Sequence, residues 1–160
     1  MNIEIASFEP AHAAPFAQLN REWLEAYGLM EPSNEEQLAD PQRYFLDRGG
    51  QIFVALHEGE VIGTCAIVPH GVGEFELAKL TVSPAFRGQG IARRLVAHCL
   101  TYAREHAARR VVLVSNARLQ AALHLYESFG FTYRAIPGAR EYEHQDVYME
   151  LTLDIADPAA

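Results

Sequence analysis

The sequence is poor in cysteine and in positive charge. Its 160 residues include two cysteines, Cys65 and Cys99, and each lies in an apolar segment. This usage is typical of buried free thiols in a reducing cytoplasm, so we predict no disulfide. The seven histidines are scattered, and we predict no metal site. Lys and Arg number 13 against 21 Asp and Glu, a net charge of -8 that disfavours nucleic acid or an anionic membrane as a partner.

Long apolar runs are also missing. None is long enough to cross a bilayer, and the opening residues, MNIEIASFEP, lack the basic and apolar parts of a signal peptide. We therefore expect a cytoplasmic protein with no membrane partner. Hydrophobic residues make up 49% of the chain, enough for one domain over residues 1–154 with a short tail at 155–160. The sequence is compatible with a homodimer but does not predict the oligomeric state.

Hydrophobic periodicity predicts strands first and alternating helices and strands later. Strands are expected over 2–7, 51–57, 61–69, 75–82, 110–115, 131–135 and 147–153. Helices are expected over 10–27, from a capping box at Ser33 and Glu36, and over 89–107 and 118–129. This order predicts a single α/β domain of layered α and β elements, with a mixed, mostly antiparallel sheet flanked by helices.

The segment from Leu80 to Ala92 carries the main functional signal. Pro84 ends a strand, and a loop containing Gly88 and Gly90 opens a long helix. The first N–H groups of such a helix have no partner, and glycine lets a phosphate approach the backbone. The loop is also the most basic local stretch of the chain, through Arg87, Arg93 and Arg94. It is neither a Walker A loop nor a dinucleotide fingerprint, and an ordinary strand–turn–helix remains an alternative.

Two patterns in this part of the sequence resemble the GNAT superfamily of N-acetyltransferases. Arg87, Gly90 and Ala92 match its Arg/Gln-x-x-Gly-x-Gly/Ala signature, which here follows Val82-Ser83-Pro84. The stretch 125–131 reads Leu-Tyr-Glu-Ser-Phe-Gly-Phe and matches a second signature of the family. The resemblance covers about residues 51–131 and implies acetyl-CoA as co-substrate.

The resemblance also implies where acetyl-CoA binds. The backbone of Leu80, Thr81 and Val82 would pair with the pantetheine arm like an added strand. Arg87 and the N–H groups of the loop would hold the pyrophosphate, and the loop residues are Gly88, Gln89, Gly90, Ile91 and Ala92. Many members have an asparagine on the pantetheine where this chain has Leu119, so we expect Asn116 to replace it.

Two residues are candidates for acid–base catalysis. In the family Tyr126 would protonate the departing thiolate, and a backbone N–H near Leu80 would stabilise the oxyanion. Many members have a glutamate that acts as the general base where this chain has Val114, so Glu76 becomes the candidate base. Strand alternation puts Glu76 on the same face as Leu80 and Val82. Tyr126 could instead be a core residue whose hydroxyl bonds to a carbonyl. Glu76 could instead be a solvated strand residue or could pair with Lys79.

The acceptor pocket is less defined. Trp23 and Tyr27 lie four residues apart on a helix, where core packing is the simpler interpretation. Glu35 and Glu36 could attract an amine, although charges at a helix start are usually solvated. A polar stretch could close over the site, and it contains Arg140, Tyr142 and His144.

The predicted function is direct transfer of an acetyl group from acetyl-CoA to a primary amine of a small molecule in a ternary complex. The alternatives are acetylation of a protein or peptide amine and a catalytically silent sensor that binds acyl-CoA. The presence of both Tyr126 and Glu76 argues against the sensor.

Overall fold

The computed structural model describes residues 2–138 and 145–153. The polar stretch that contains Arg140, Tyr142 and His144 lies outside these residues, as does the predicted tail at 155–160.

A seven-stranded sheet forms the centre of the described structure, as the alternation of apolar residues predicted. Its strands are β1 (Ile3–Ser7), β2 (Gln51–His57), β3 (Glu60–Gly71), β4 (Glu74–Val82), β5 (Arg110–Ser115), β6 (Thr132–Arg134) and β7 (Val147–Thr152). They lie in the order β1-β2-β3-β4-β5-β7-β6. Only β4 and β5 pair in parallel, and every other neighbouring pair is antiparallel. The predicted mixed, mostly antiparallel sheet is confirmed.

Helices cover both faces of this sheet. They are α1 (Ala13–Ala26), α2 (Pro32–Ala39), α3 (Ile91–Glu105) and α4 (Gln120–Ser128). On one face, the buried Leu95 and Cys99 of α3 pack with residues of β3, β4 and β5. On the other face, Phe16 and Leu24 of α1 pack against β2 and β3. The helices therefore bury their apolar stripes in two core layers, one on each face of the sheet.

All four predicted helix starts differ by a few residues from the observed starts, and two of the differences have a clear local cause. The second helix begins at Pro32 after Glu31, so Ser33 does not act as its cap, because the fixed φ of proline suits the first helical position. The long helix begins at Ile91 rather than near 89, because Gly90 adopts a left-handed φ of 79° and ends the loop. Three short helical turns also form, at Pro10–His12, Gln42–Leu46 and Pro84–Phe86.

Strand β4 changes character along its length. Its first residues, Glu74–Glu76, pair with β5, but the pairing stops there. Against β3, its register shifts opposite the stretch between Thr64 and Ala66. Lys79, which lies within this irregular stretch, has a left-handed φ of 57°. Such a bulge adds a residue to one strand and reverses the alternation of its side chains.

The bulge overturns one sequence argument. Leu80 and Val82 pack with the α3 layer. Glu76 lies opposite Val68, which packs with the α1 layer. Glu76 therefore does not share a face with Leu80 and Val82, as strict alternation had predicted, because the bulge intervenes.

Candidate active site

A cleft of about 740 Å³ opens where β4 and β5 separate. One side is the β4 edge from Glu76 to Val82, and the other is formed by the end of β5 and by α4. Trp23, Tyr27 and Asn34 reach the cleft from α1, its C-terminal end and α2. A cleft of this size is ample for a cofactor arm and a small second molecule.

The edge of β4 offers its backbone to the cleft. From Leu77 to Val82 this strand pairs with β3 on one side and has no residue of β5 opposite it among the described pairings. An extended chain with amide groups, such as pantetheine, can hydrogen-bond to such an edge like an additional strand.

The loop before α3 has the features of an anion site. Gly88 and Gly90 both have a φ of 79°, and a Cβ built on either would meet no protein atom within 4 Å. The first turn of α3 has no side-chain cap and no acidic residue. Its leading N–H groups and the positive end of the helix dipole therefore remain available for an anion.

Two arginines stand beside this loop in fixed positions. The Nε of Arg87 donates to the Val82 carbonyl oxygen at 3.0 Å. Arg93 donates to Ser128 Oγ at 2.9 Å, and its guanidinium lies 5.2 Å from the centre of the Phe129 ring. Both line the cleft, so positive charge is concentrated where the glycine loop faces it.

Tyr126 lies in the wall of the cleft on α4 and is 8% exposed. Its ring packs edge-on against Phe131, with 5.8 Å between ring centres. Burial raises the pKa of the Tyr126 hydroxyl well above its ordinary value, and the neighbouring Cys65 and Cys99 raise it further. The phenol therefore keeps its proton at neutral pH.

Residues 16–131, more than half of the chain, match the acetyltransferase (GNAT) family. The chain belongs to this family.

Curated members of the GNAT family support the assignment. The chain is 33% identical over 114 residues to N-acetyltransferase family 8 member 2 of Rattus norvegicus, a match that covers 68% of this chain and 50% of that protein. It is 34% identical over 130 residues to the uncharacterized N-acetyltransferase YjgM of Escherichia coli, which covers 76% of this chain and 75% of that protein. The match thus spans about half the length of the rat relative.

Solved structures share the fold. A GNAT-family acetyltransferase of Staphylococcus aureus has a TM-score of 0.88 at 15% identity, with 96% of this chain and all of that chain covered. The putative acetyltransferase yncA of Salmonella typhimurium, solved with acetyl-CoA, has a TM-score of 0.75 at 22% identity and covers 96% of this chain and 95% of that chain. Acetyl-CoA and coenzyme A are thus bound by GNAT proteins of this fold.

The described residues contain neither a membrane-spanning helix nor a metal-binding cluster. In the part of the chain that the structure describes, no helix is long and apolar enough to cross a membrane. Within residues 2–138 and 145–153, no group of three or more His, Cys, Asp or Glu side chains is arranged to hold a metal ion.

Most of the residues predicted to bind the GNAT co-substrate line the cleft. They are Leu80, Thr81, Val82, Arg87, Gly88, Gly90, Ile91, Ala92 and Tyr126. Gln89 and Asn116 are not among the lining residues. Asn116 Oδ1 instead accepts hydrogen bonds from the backbone N–H of Arg118 at 2.9 Å and from its Nε at 3.4 Å. Asn116 thus organises the turn before α4, and its contact with pantetheine stays a prediction.

The acceptor candidates separate into two groups. Trp23 and Tyr27 both line the cleft. Trp23 also packs against the core layer of α1, as expected, whereas Tyr27 is 40% exposed. Glu35 and Glu36 are exposed and do not line it. Glu35 pairs with Arg21 at 2.6 Å, and this hydrogen bond lowers the pKa of the Glu35 carboxyl despite opposing desolvation.

Sequence reasoning gave no site role to Lys79 or Asn34. Lys79 is 8% exposed, lines the cleft and donates from Nζ to Asn34 Oδ1 at 2.7 Å. One feature of the sequence could have indicated Lys79: it is a lysine within a strand whose other residues were expected to be buried. Buried lysines are rare unless they are paired or functional.

Proposed function

We propose that this protein transfers an acetyl group from acetyl-CoA directly to the primary amine of a small molecule. One observation carries the proposal. A single cleft joins the unpaired edge of β4, the glycine loop before α3 and the buried hydroxyl of Tyr126.

The cleft suits acetyl-CoA along its whole length. The backbone of Leu80, Thr81 and Val82 hydrogen-bonds to the amides of the pantetheine arm. The pyrophosphate lies on the N–H groups between Gly88 and Ala92, where the missing Cβ atoms leave open space. Arg87 and Arg93 supply positive charge to the same end.

Transfer needs one bond formed and one broken. The neutral amine nitrogen attacks the thioester carbon, and a backbone N–H near Leu80 stabilises the developing oxyanion. The carbon–sulfur bond then breaks, the electron pair leaves with sulfur, and the attacking nitrogen releases its extra proton to solvent as the amide forms. Tyr126 donates its proton to this thiolate, which completes free CoA and leaves a tyrosinate that is reprotonated from solvent.

The amine must also lose a proton, since alkylamines are protonated at neutral pH. Glu76 is the only acidic residue among the described residues that line the cleft, and it is half-buried. It takes the proton directly or through a water molecule. Its position on the α1 side of the sheet places it with Trp23 and Asn34 rather than with the phosphate loop.

Charge in the cleft supports an anionic co-substrate. The chain carries a net charge of -8, whereas the described cleft residues include four cations and one acid. Positive charge is thus concentrated in the cleft that would take an anionic co-substrate. The cytoplasmic location and a possible homodimer stay predictions.

A thiol-release assay combined with calorimetry tests the proposal. The protein should bind acetyl-CoA and release CoA only when an amine is supplied. A panel of small amines and of peptides distinguishes the acceptor classes. Acetyl-CoA binding with no release for any acceptor would favour the silent sensor, and absence of acetyl-CoA binding would overturn the proposed function altogether.

A further inference from the structure

Gln145 brings a buried polar atom into the cleft without a partner for it. The residue stands two positions before β7 and lines the cleft. Its side-chain oxygen Oε1 is buried and accepts no hydrogen bond from any of the described residues. A buried carbonyl oxygen has given up its bonds to water, so leaving it without a donor costs free energy and is rare in folded proteins. Inside a cleft, such an atom indicates a position where a ligand supplies the donor.

The backbone beside Gln145 is fastened to the end of β5. Asp146 donates from its backbone N–H to the Ser115 carbonyl oxygen at 3.1 Å, and its Oδ1 accepts from the backbone N–H of Ala117 at 2.9 Å. Val147 then pairs with Ser115 as β7 begins. Gln145 therefore belongs to the side of the cleft that β5 and α4 form.

This side of the cleft is joined to the end of α1. Arg118, which follows Ala117 in the chain, donates from Nη2 to the Tyr27 carbonyl oxygen at 2.6 Å, and its guanidinium lies 5.9 Å from the centre of the Tyr27 ring. Both residues line the cleft. The phosphate end is built from a different segment, the loop before α3. Gln145 is thus linked through the turn after β5 to the wall that carries the acceptor candidates Trp23 and Tyr27.

The co-substrate and the acceptor differ in the partners they have. In the proposed function the pantetheine amides bond to the backbone of Leu80, Thr81 and Val82, on the opposite side of the cleft. The acceptor amine carries N–H groups that need hydrogen-bond acceptors once it leaves water. The oxygen of a glutamine amide is an uncharged acceptor, so it can hold an N–H group without removing the proton.

We propose that Gln145 Oε1 accepts a hydrogen bond from the nitrogen that is to be acetylated. This inference rests on the proposed function. The bond holds the amine against the β5 side of the cleft and helps to aim its lone pair at the thioester carbon, because the directions of the N–H bonds fix that of the lone pair. Gln145 therefore binds and orients the nucleophile, and removal of the proton is left to the base or to solvent.

Substitutions of Gln145 test the proposal on the purified full chain. Gln145→Met keeps the length of the side chain and removes the amide. With the best amine found by thiol release, kcat/KM should fall about tenfold, mainly through KM. Gln145→Glu keeps an oxygen acceptor and should have a KM close to that of the wild type. Acetyl-CoA affinity, measured by calorimetry, should not change in either variant.

Two further measurements separate ligand binding from a structural role. The trimethylammonium analogue of the best amine has no N–H group, so its inhibition constant should be the same for the wild type and Gln145→Met. In the free protein, Gln145→Met removes an oxygen that has no partner, so Tm should rise by about 2 °C. Gln42→Met is the matched control, since Gln42 is exposed outside the cleft and its Nε2 donates to Asp47 Oδ1 at 2.8 Å. It should raise neither KM nor Tm.

Four outcomes would overturn the inference. They are an unchanged kcat/KM in Gln145→Met, a Tm that does not rise, an equal loss of binding for the trimethylammonium analogue, and a loss of acetyl-CoA affinity, which would assign Oε1 to the pantetheine arm. In each of these cases the wild type would still be an acetyltransferase. If the wild type acetylates no amine, the proposed function itself fails and the inference fails with it.

Discussion

The two halves of β4 both lie beside β5, but only the first half pairs with it. At Glu74–Glu76 the strand pairs with β5, and Glu74 accepts from Arg110 Nε at 2.7 Å and contacts His70 Nδ1 at 2.6 Å. From Leu77 to Val82 the β5 partner is gone and the cleft begins. The paired end holds the sheet together with side-chain contacts, whereas the open end leaves backbone groups for a ligand.

The same contrast appears in charge. At the paired end the Glu74 carboxylate contacts both Arg110 and His70 over short distances. The described residues that line the whole cleft, by contrast, include four cations and one acid. A strand can therefore be structural at one end and ligand-binding at the other, and substitutions at the two ends should have separable effects.

The largest effect is expected at the glycine loop. Gly90→Glu puts a side chain into the open space and a carboxylate where the pyrophosphate would lie, so acetyl-CoA affinity should fall by at least about a hundredfold. Isothermal titration calorimetry would measure it.

Gly59→Glu is the matched control for Gly90→Glu. Gly59 has a comparable φ of 81°, also has no atom within 4 Å of its ideal Cβ, and lies in the β2–β3 turn away from the cleft. The Gly59→Glu variant should have the same backbone strain but an unchanged affinity for acetyl-CoA. Equal affinity in the two variants would remove the phosphate site from this loop.

The next effect concerns proton donation. Tyr126→Phe keeps the ring against Phe131 and removes the hydroxyl, so kcat should fall about a hundredfold with little change in acetyl-CoA affinity. Tyr102→Phe serves as the control, because its hydroxyl donates to the Gly49 carbonyl oxygen outside the cleft. A similar kcat in both variants, with chemistry shown to be rate-limiting, would make Tyr126 a core residue only.

A smaller and pH-dependent effect is expected at Glu76. Glu76→Gln removes the base, so activity should fall and the rate–pH profile should move toward higher pH, where the acceptor amine is already neutral. Glu60→Gln, an exposed change at the start of β3, should leave the profile in place. If Glu76→Gln also leaves the rate–pH profile unchanged, another residue or solvent removes the proton from the amine.

The smallest effect is predicted at the paired end. Burial opposes ionisation of Glu74, but its hydrogen bonds with His70 and Arg110 prevail and lower the pKa of its carboxyl. A lowered pKa in the folded state stabilises the protein above the unfolded pKa, and this contribution is lost as pH falls through the folded value.

Glu74→Gln should therefore lower the free energy of unfolding by about 1 kcal/mol at neutral pH, since Arg110 is partly exposed. The difference from wild type should shrink in acid, as followed by urea denaturation at several pH values. Acetyl-CoA affinity should not change. A lost affinity would mean that the two ends of β4 are coupled.

These contrasts also show what the sequence could predict. The glycine loop was readable because glycine spacing, a strand-ending proline and local basic charge all indicate one function. The strands were readable from the alternation of apolar and polar residues. The bulge at Lys79 was not, because a left-handed lysine has no local signature and is stabilised by the distant Thr64 and Asn20. For that reason the sequence did not predict on which face of the sheet Glu76 lies, or that Lys79 lines the cleft.

Hydrogen exchange resolved by residue, with and without CoA, tests the central claim most directly. The account predicts that CoA slows amide exchange in the open half of β4, from Leu80 to Val82, and in the first turn of α3. Exchange at Phe75 and Glu76, in the paired half, should not change. Equal protection of both halves, or protection confined to regions outside the cleft, would contradict the assignment of the open strand edge as the acetyl-CoA site.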